Sequence, residues 1–191
     1  MLKQLPLTIW MTGLSGSGKT TLSLRLKKLL HTIRQKTILI DGDILRRGLS
    51  SDLGYSLEDR SENIRRTAHV ARLMNDAGIT VIVALISPLT KDRANARAIV
   101  ENNHFVETYL DADLVTCEQR DPKGLYRKAR SGLIDEFTGI SSPYEAPVCP
   151  EVRVSTGVLT EDESAHFIFH QILKLTGARK MPYAPKNDVL Q

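Results

Sequence analysis

The 191-residue chain carries little that would mark it for export, for a membrane or for a metal centre. It has two cysteines, Cys117 and Cys149, with no CxxC and no Cys/His cluster. A disulfide scaffold is therefore excluded, a structural zinc is not expected, and a reducing cytoplasm fits best. The longest purely aliphatic run is Val81 to Ile86, far short of the ~20 residues that span a bilayer as a helix. The opening MLKQLPLTIWMTG lacks a cleavage-type ending and reads as a first strand, not a signal peptide. No block of five basic residues occurs, and the net charge is only +4. That is too mild to demand nucleic acid, but it suits small polyanions. Repeats and low-complexity segments are lacking too. Hydrophobic residues at 41% and charged residues at 25% are ordinary globular usage.

What is present alternates. Leu7 to Thr12, Thr37 to Ile40, Thr80 to Ile86, Phe105 to Leu110 and Val152 to Ser155 read as short apolar strands. Between them lie helical patterns: Leu22 to Ile33, Asp59 to Ala77, Thr90 to Asn102, one capped by Asp113, and Glu161 to Leu175. Asp59 and Glu62 resemble a capping box, and Gly78 a stop. Pro122 fits a first helical turn. Residues 121–150, with Gly124, Gly132, Gly139 and four prolines, read as a partly helical lid. The reading is one domain over residues 1–177 with a loose tail over 178–191. The class is α/β with a parallel sheet, whose right-handed crossovers bring the loops after the first three strands to one edge.

Gly13-Leu14-Ser15-Gly16-Ser17-Gly18-Lys19-Thr20 fits GxxxxGK[ST] between a strand and a helix. Its glycines let backbone amides wrap a phosphate, and the helix N-terminus adds positive charge. Lys19 would neutralise the outer phosphates, Thr20 offers a hydroxyl to Mg²⁺, and Thr21 follows in the same turn. No Asn-Lys-x-Asp sequence occurs, so ATP is expected over GTP. Asp41-Gly42-Asp43 closes the second strand. A carboxylate there can hold a magnesium-bound water or accept an acceptor's proton. Asp41 reads equally as a turn residue capping the next helix. Arg46, Arg47, Arg60, Arg65 and Arg66 suit bidentate contact with phosphate or sulfate, or else a solvated helix face partnered by Glu58, Asp59 and Glu62.

These segments together resemble the adenylylsulfate kinase family. The resemblance runs from Trp10 to about Thr156, roughly three-quarters of the chain. It is carried by GLSGSGKTT (13–21), DGD with Arg46, DLGYSLEDRSENIRR (52–66), ISP with Arg93 and Arg97, CEQRDPKGLYRKAR (117–130) and FTGISSPYEAP (137–147). The resemblance implies a P-loop NTPase fold, three layers α/β/α with a helical lid. It implies transfer of the γ-phosphoryl group of ATP, with Mg²⁺, to the 3′-hydroxyl of adenosine 5′-phosphosulfate (APS). The products would be PAPS and ADP.

By motif match, Asp43 would be the base or magnesium-water ligand, and Arg46 and Arg60 would hold the phosphosulfate. Asn63, Ile86 and Ser87 would line the acceptor pocket, and Lys123 would reach it from the lid. Tyr55 and Phe137 would sandwich its adenine, although Phe137 read without the family is a lid-core residue. Arg120 would lie against the ATP adenine. A covalent relay through Ser87 is a further reading, with no adjacent base evident. The family also implies a homodimer and a separate ATP sulfurylase, with no nucleic-acid or membrane partner. Position 55 is Tyr where the family usually has Phe, and Leu89, Ile44-Leu45 and Ser141 also depart from its pattern. The alternatives are a kinase of the same fold for another small hydroxyl compound, and a non-catalytic ATP-binding module. The acceptor-side arginines and the Tyr55/Phe137 pair argue against the first, and intact Lys19, Thr20, Asp43, Arg46 and Arg60 against the second.

Overall fold

A computed structural model describes residues 6–177. The tail expected over 178–191 lies outside the described residues. Five strands form one parallel sheet: β1 (Thr8–Thr12), β2 (Thr37–Asp41), β3 (Thr80–Ala84), β4 (Phe105–Asp111) and β5 (Val152–Ser155), in the order β2-β3-β1-β4-β5. All five residues of β1 and of β3 are buried, as expected for strands covered on both faces.

The period-2 alternation divides the core into two layers. Ile9, Met11 and Ile82 meet Leu22, Leu26 and Leu30 of α1 (Lys19–Thr32) and Ile168 and Ile172 of α7 (Glu161–Leu175). Trp10, Val81 and Val83 meet Ile64, Ala68 and Ala71 of α3 (Leu57–Asp76) and Ala96 and Val100 of α4 (Thr90–Val100). Each large apolar side chain buried this way contributes roughly 1.5–3 kcal/mol. A third cluster belongs to the lid. Cys117 of α5 (Leu114–Arg120) packs there with Tyr126 of α6 (Leu125–Arg130), Phe137 and Leu14 of the glycine loop. Cys117 is thus a buried small residue.

Several sequence expectations need correction. Helix α3 begins at Leu57, and its cap is the Ser56 side chain, which accepts from the Asp59 amide. Asp59 instead accepts from the Gly54 amide, and Glu62 pairs with Arg65 and Arg66. The Ser hydroxyl sits one residue before the first helical turn and reaches its third amide, so it displaces the expected box. Strand β3 stops at Ala84 because Leu85 to Leu89 leaves the sheet, with Ser87 at φ +46°. Helix α4 stops at Val100, and Asn102–His104 forms a separate 3₁₀ turn. Pro122 lies in the turn between α5 and α6, outside both. Among the described residues, no helix is long and apolar enough to cross a membrane.

Strand β1 sits between β3 and β4, while the chain first crosses from β1 to β2 beyond β3. The order therefore reverses at β1. In an open parallel sheet the ligand crevice lies at the carboxyl ends beside such a switch point.

Candidate active site

The glycine loop after β1 is built by close approach. Gly13 has φ +154°, and a Cβ there would lie 2.8 Å from the Leu110 carbonyl oxygen. Gly16 has φ +78°, and a Cβ there would lie 2.8 Å from the Cys117 carbonyl oxygen. The loop is thus wedged against β4 and α5 at two positions that admit no side chain. Gly18, at φ 97°, is the N-cap of α1 and supplies no side-chain acceptor, which leaves the first-turn amides facing the loop.

Lys19 Nζ folds over this loop. It donates to the carbonyls of Gly13 (2.9 Å) and Leu14 (2.7 Å), and its contact to Ser17 Oγ is 3.4 Å. Ser17 is fully buried, and Thr21 is half-buried on α1. Burial brings the Lys19 pKa down to about 8, against the opposing pull of Cys117, Asp41 and Asp43. Lys123 pushes in the same direction as burial. The lysine, both carboxylates of the Asp-Gly-Asp segment and the lid lysine are therefore electrostatic neighbours.

Thr20 Oγ1 donates to Asp41 Oδ2 at 2.9 Å. Asp41 Oδ1 accepts from the Asp43 amide and caps the short helix α2 (Gly42–Leu45). One carboxylate thus both caps the turn, as the turn reading of Asp41 has it, and orients the threonine hydroxyl. Asp43 is more exposed and forms an ion pair with Lys123, which is 80 positions away on the lid. Lys123 was expected on the acceptor, but here it sits on Asp43. An exposed pair of this kind adds little stability, so the contact is cheap to break.

The acceptor-side candidates fall into two groups. Arg46 donates to the carbonyls of Leu53 (3.3 Å) and Gly54, and its guanidinium lies 4.4 Å from the Tyr55 ring centroid. Arg60 donates through Nε to the Tyr55 carbonyl at 2.9 Å and lies 5.7 Å from the same centroid. Tyr55 is 60% exposed. Two cations thus share one exposed ring, and guanidinium groups have the chemistry to bind an anion there. Burial and the neighbouring Arg46 hold the Arg60 pKa below its usual value, while Glu136 of the lid opposes them. Glu136 of the lid is therefore an electrostatic neighbour of Arg60. Phe137, next to Glu136, is 6% exposed and sits edge-on to Tyr126 with centroids 5.0 Å apart. Its lid-core reading is thus the observed one.

The second group comes from α3 and from the segment that follows β3. Asn63 is 3% exposed, and its Oδ1 is buried without a hydrogen-bond partner. Such an atom costs about 1–3 kcal/mol unless something donates to it. The Ile86 carbonyl accepts from Thr12 Oγ1 at 2.6 Å. Ser87, 2% exposed, accepts from Trp10 Nε1 through its hydroxyl at 2.9 Å. Burial and this engagement disfavour the relay reading of Ser87. Its φ of +46° stores strain of about 1–3 kcal/mol, a cost met at sites that the surroundings fix.

Arg120 donates to the Thr156 carbonyl at 2.7 Å, joining the end of α5 to the turn after β5. Tyr126 donates to the Ser15 carbonyl at 2.9 Å, which ties the lid to the glycine loop. Asp41's contact with Thr20, the Tyr126 latch and the Thr12–Tyr144 contact at 3.0 Å were missed in the sequence. Asp41 had a signal in its place at the strand end. The other two join residues more than a hundred positions apart and had none.

A family model described as adenylylsulphate kinase matches residues 5–155. The adenylyl-sulfate kinase of Staphylococcus epidermidis is 52% identical over 164 residues, 86% of this chain and 82% of that protein. The Pseudomonas aeruginosa adenylyl-sulfate kinase is 52% identical over 160 residues, 84% of this chain and 81% of that protein. Among solved structures, the Mycobacterium tuberculosis APS kinase CysC in complex with AMPPNP and APS superposes with a TM-score of 0.85 at 44% identity. It covers 88% of this chain and 98% of that one. A gluconokinase from Sinorhizobium meliloti shares the fold at a TM-score of 0.60 and 16% identity, covering 91% and 95% of the two chains.

Proposed function

The chain belongs to the adenylylsulphate kinase family and is an ATP-dependent kinase of adenosine 5′-phosphosulfate; we propose how its residues divide that reaction. The observation that carries the proposal is the charge cluster of Lys19, Asp41, Asp43 and Lys123, which joins the phosphate loop, a strand end and the lid.

The amides of residues 13–18 and Lys19 hold the outer phosphates of ATP. Arg120 and the turn at Thr156 border its adenine. Arg46 and Arg60 bind the phosphosulfate, with Tyr55 as the wall between them. Phe137 presents its edge to the acceptor adenine from the lid. Asn63 Oδ1 accepts a hydrogen bond from the acceptor, and the Ile86-Ser87 backbone forms the pocket floor. Asp43 takes the proton of the 3′-hydroxyl once Lys123 turns from it to the acceptor. In-line phosphoryl transfer needs mainly position and charge neutralisation, which these groups supply. The lid keeps water from the transferred group.

Mg²⁺ belongs to the same proposal. The donors fit it: the Thr20 hydroxyl and the carboxylates of Asp41 and Asp43 are hard oxygens, and no cluster of three or more His, Cys, Asp or Glu occurs among the described residues. Mg²⁺ prefers few protein ligands and keeps water and phosphate oxygens. Bound there, it would neutralise charge on the phosphates. A homodimer, a separate ATP sulfurylase as supplier and a cytoplasmic site complete the proposal.

Coupled ADP release with ATP and Mg²⁺ tests it, comparing adenosine 5′-phosphosulfate, AMP and no acceptor. Fast release with the phosphosulfate alone is expected. Equal rates with AMP would mean that Arg46 and Arg60 read only a 5′-phosphate, and the assignment of the sulfate end would fall.

A further inference from the structure

Arg93 is the most heavily engaged buried charge in the described chain that the reaction scheme does not use. It lies in the first turn of α4 and is 3% exposed. Its Nε donates to Glu107 Oε1 at 2.7 Å, and Glu107 sits on β4. One terminal nitrogen donates to the carbonyls of Ser87 (2.8 Å) and Pro88 (3.2 Å). The other donates to the Glu145 carbonyl at 2.8 Å and contacts Thr90 Oγ1 at 3.3 Å. One guanidinium thus spans a helix, a strand, the turn at 87–88 and the closing end of the lid.

Those last two segments are also joined directly. The Glu145 amide donates to the Pro88 carbonyl at 2.8 Å, and the Thr90 amide donates to Glu145 Oε2 at 2.7 Å. Tyr144, the neighbour of Glu145, meets Thr12 Oγ1, which also holds the Ile86 carbonyl. The left-handed Ser87 is pinned at both ends: Arg93 takes its carbonyl, and Trp10 Nε1 donates to its hydroxyl. A planar fork with five donors can make this set of contacts, and an ammonium cannot. Buried ion pairs often contribute little net stability compared with apolar replacements, so stability alone does not account for this one.

We propose that Arg93 is a positioning residue that sets the acceptor-pocket floor and the closing end of the lid as one unit. This rests on the reading of Ile86 and Ser87 as that floor. Acceptor affinity then depends on Arg93, although Arg93 touches no substrate, and ATP affinity does not. Glu107 fixes the fork from behind and keeps its charge compensated.

Trp10, the single tryptophan of the chain, is a built-in reporter, since its indole N–H is bonded to Ser87. Arg93→Lys retains the charge beside Glu107 but loses the fork. Arg93→Met with Glu107→Met removes both charges and guards against loss of the fold in the first variant. In at least one of them the protein folds with a near-normal thermal midpoint. There the KM for adenosine 5′-phosphosulfate rises about tenfold while that for ATP stays within about twofold. Trp10 emission changes in the protein alone, and protease cuts faster within residues 121–150. Arg25→Lys, which alters an exposed pair with Glu161 far from Glu107, moves none of these.

Both Michaelis constants rising together with a lost midpoint would reduce Arg93 to a structural role and overturn the proposal. Unchanged acceptor KM in a folded variant would overturn it too, whatever Trp10 does. Failure of the wild type to turn over the phosphosulfate would instead sink the acceptor reading. Emission and cleavage would still decide whether Arg93 holds floor and lid together.

Discussion

The phosphate-donor side and the acceptor side of this site are built in opposite ways. The donor side is eight consecutive residues, wedged by missing Cβ atoms against β4 and α5 and covered by one lysine. Its geometry is mostly backbone. The acceptor side is assembled from five stretches of chain and held by side chains. Asp43 meets Lys123 across 80 positions, and Arg93 meets Glu145 across 52. Backbone close packing makes a rigid cradle that needs no partner. A set of exposed ion pairs and cation–π contacts can be rearranged by a ligand of matching charge. The first suits a group common to many kinases. The second suits the group that distinguishes this one.

Substitutions on the two sides should therefore separate. The largest effect is expected on the acceptor side: Asp43→Ala lowers kcat at least about a hundredfold, as loss of a general base does, while ATP titration gives near-normal affinity. Near-wild-type turnover would remove Asp43 from the chemistry. Arg60→Ala comes next, raising the KM for adenosine 5′-phosphosulfate about tenfold, the value of one charge-assisted contact, with the ATP constant unmoved. If only the ATP constant moved, Arg60 would belong to the donor side and the comparison would fail.

A smaller effect, from pH, belongs to the donor side. With the Lys19 pKa near 8, its charge fades above that pH. ATP affinity, measured calorimetrically, falls about fivefold from pH 7 to 9, the loop amides still binding as the charge is lost. The sign for folding is the reverse. Between pH 8 and 10.5 the unfolded chain binds the Lys19 proton more fully than the folded one, so this residue's contribution to stability becomes more favourable as pH rises. Lys19→Met should abolish both trends.

The smallest effect tests the link between the two sides. Tyr126→Phe keeps the ring against Phe137 but frees the Ser15 carbonyl. It should cost about 1 kcal/mol of stability by denaturant titration, with both Michaelis constants raised modestly together. A change in only one constant would mean that the lid serves one side alone.

The legibility of the sequence follows the same division. The five strands, the glycine loop with Lys19 and Thr20, and the Asp113 cap were readable because each is a local pattern: aliphatic runs, a glycine spacing, a polar residue before a helical turn. The α3 cap was misplaced because Ser56, Asp59 and Glu62 all have the chemistry to cap, and only the backbone turn at Ser56 chooses between them. Phe137 could be a ligand stack or lid core on sequence grounds, and Tyr126 made it lid core. Arg46 and Arg60 were candidates by their chemistry and Tyr55 by family resemblance, and the fold alone could bring the two arginines onto that ring.

The sequence by itself determined that this chain is a parallel α/β protein with a phosphate cradle, because periodicity and glycine spacing act over a few residues. Tertiary structure decided what stands opposite that cradle. It paired Asp43 with Lys123, bonded Asp41 to Thr20, bonded Trp10 to Ser87, and ran Arg93 from the sheet to the lid. Such contacts join residues whose separation along the chain carries no periodic signal. They exist only once burial of the two core layers has fixed where each strand ends, which is why no local pattern announces them.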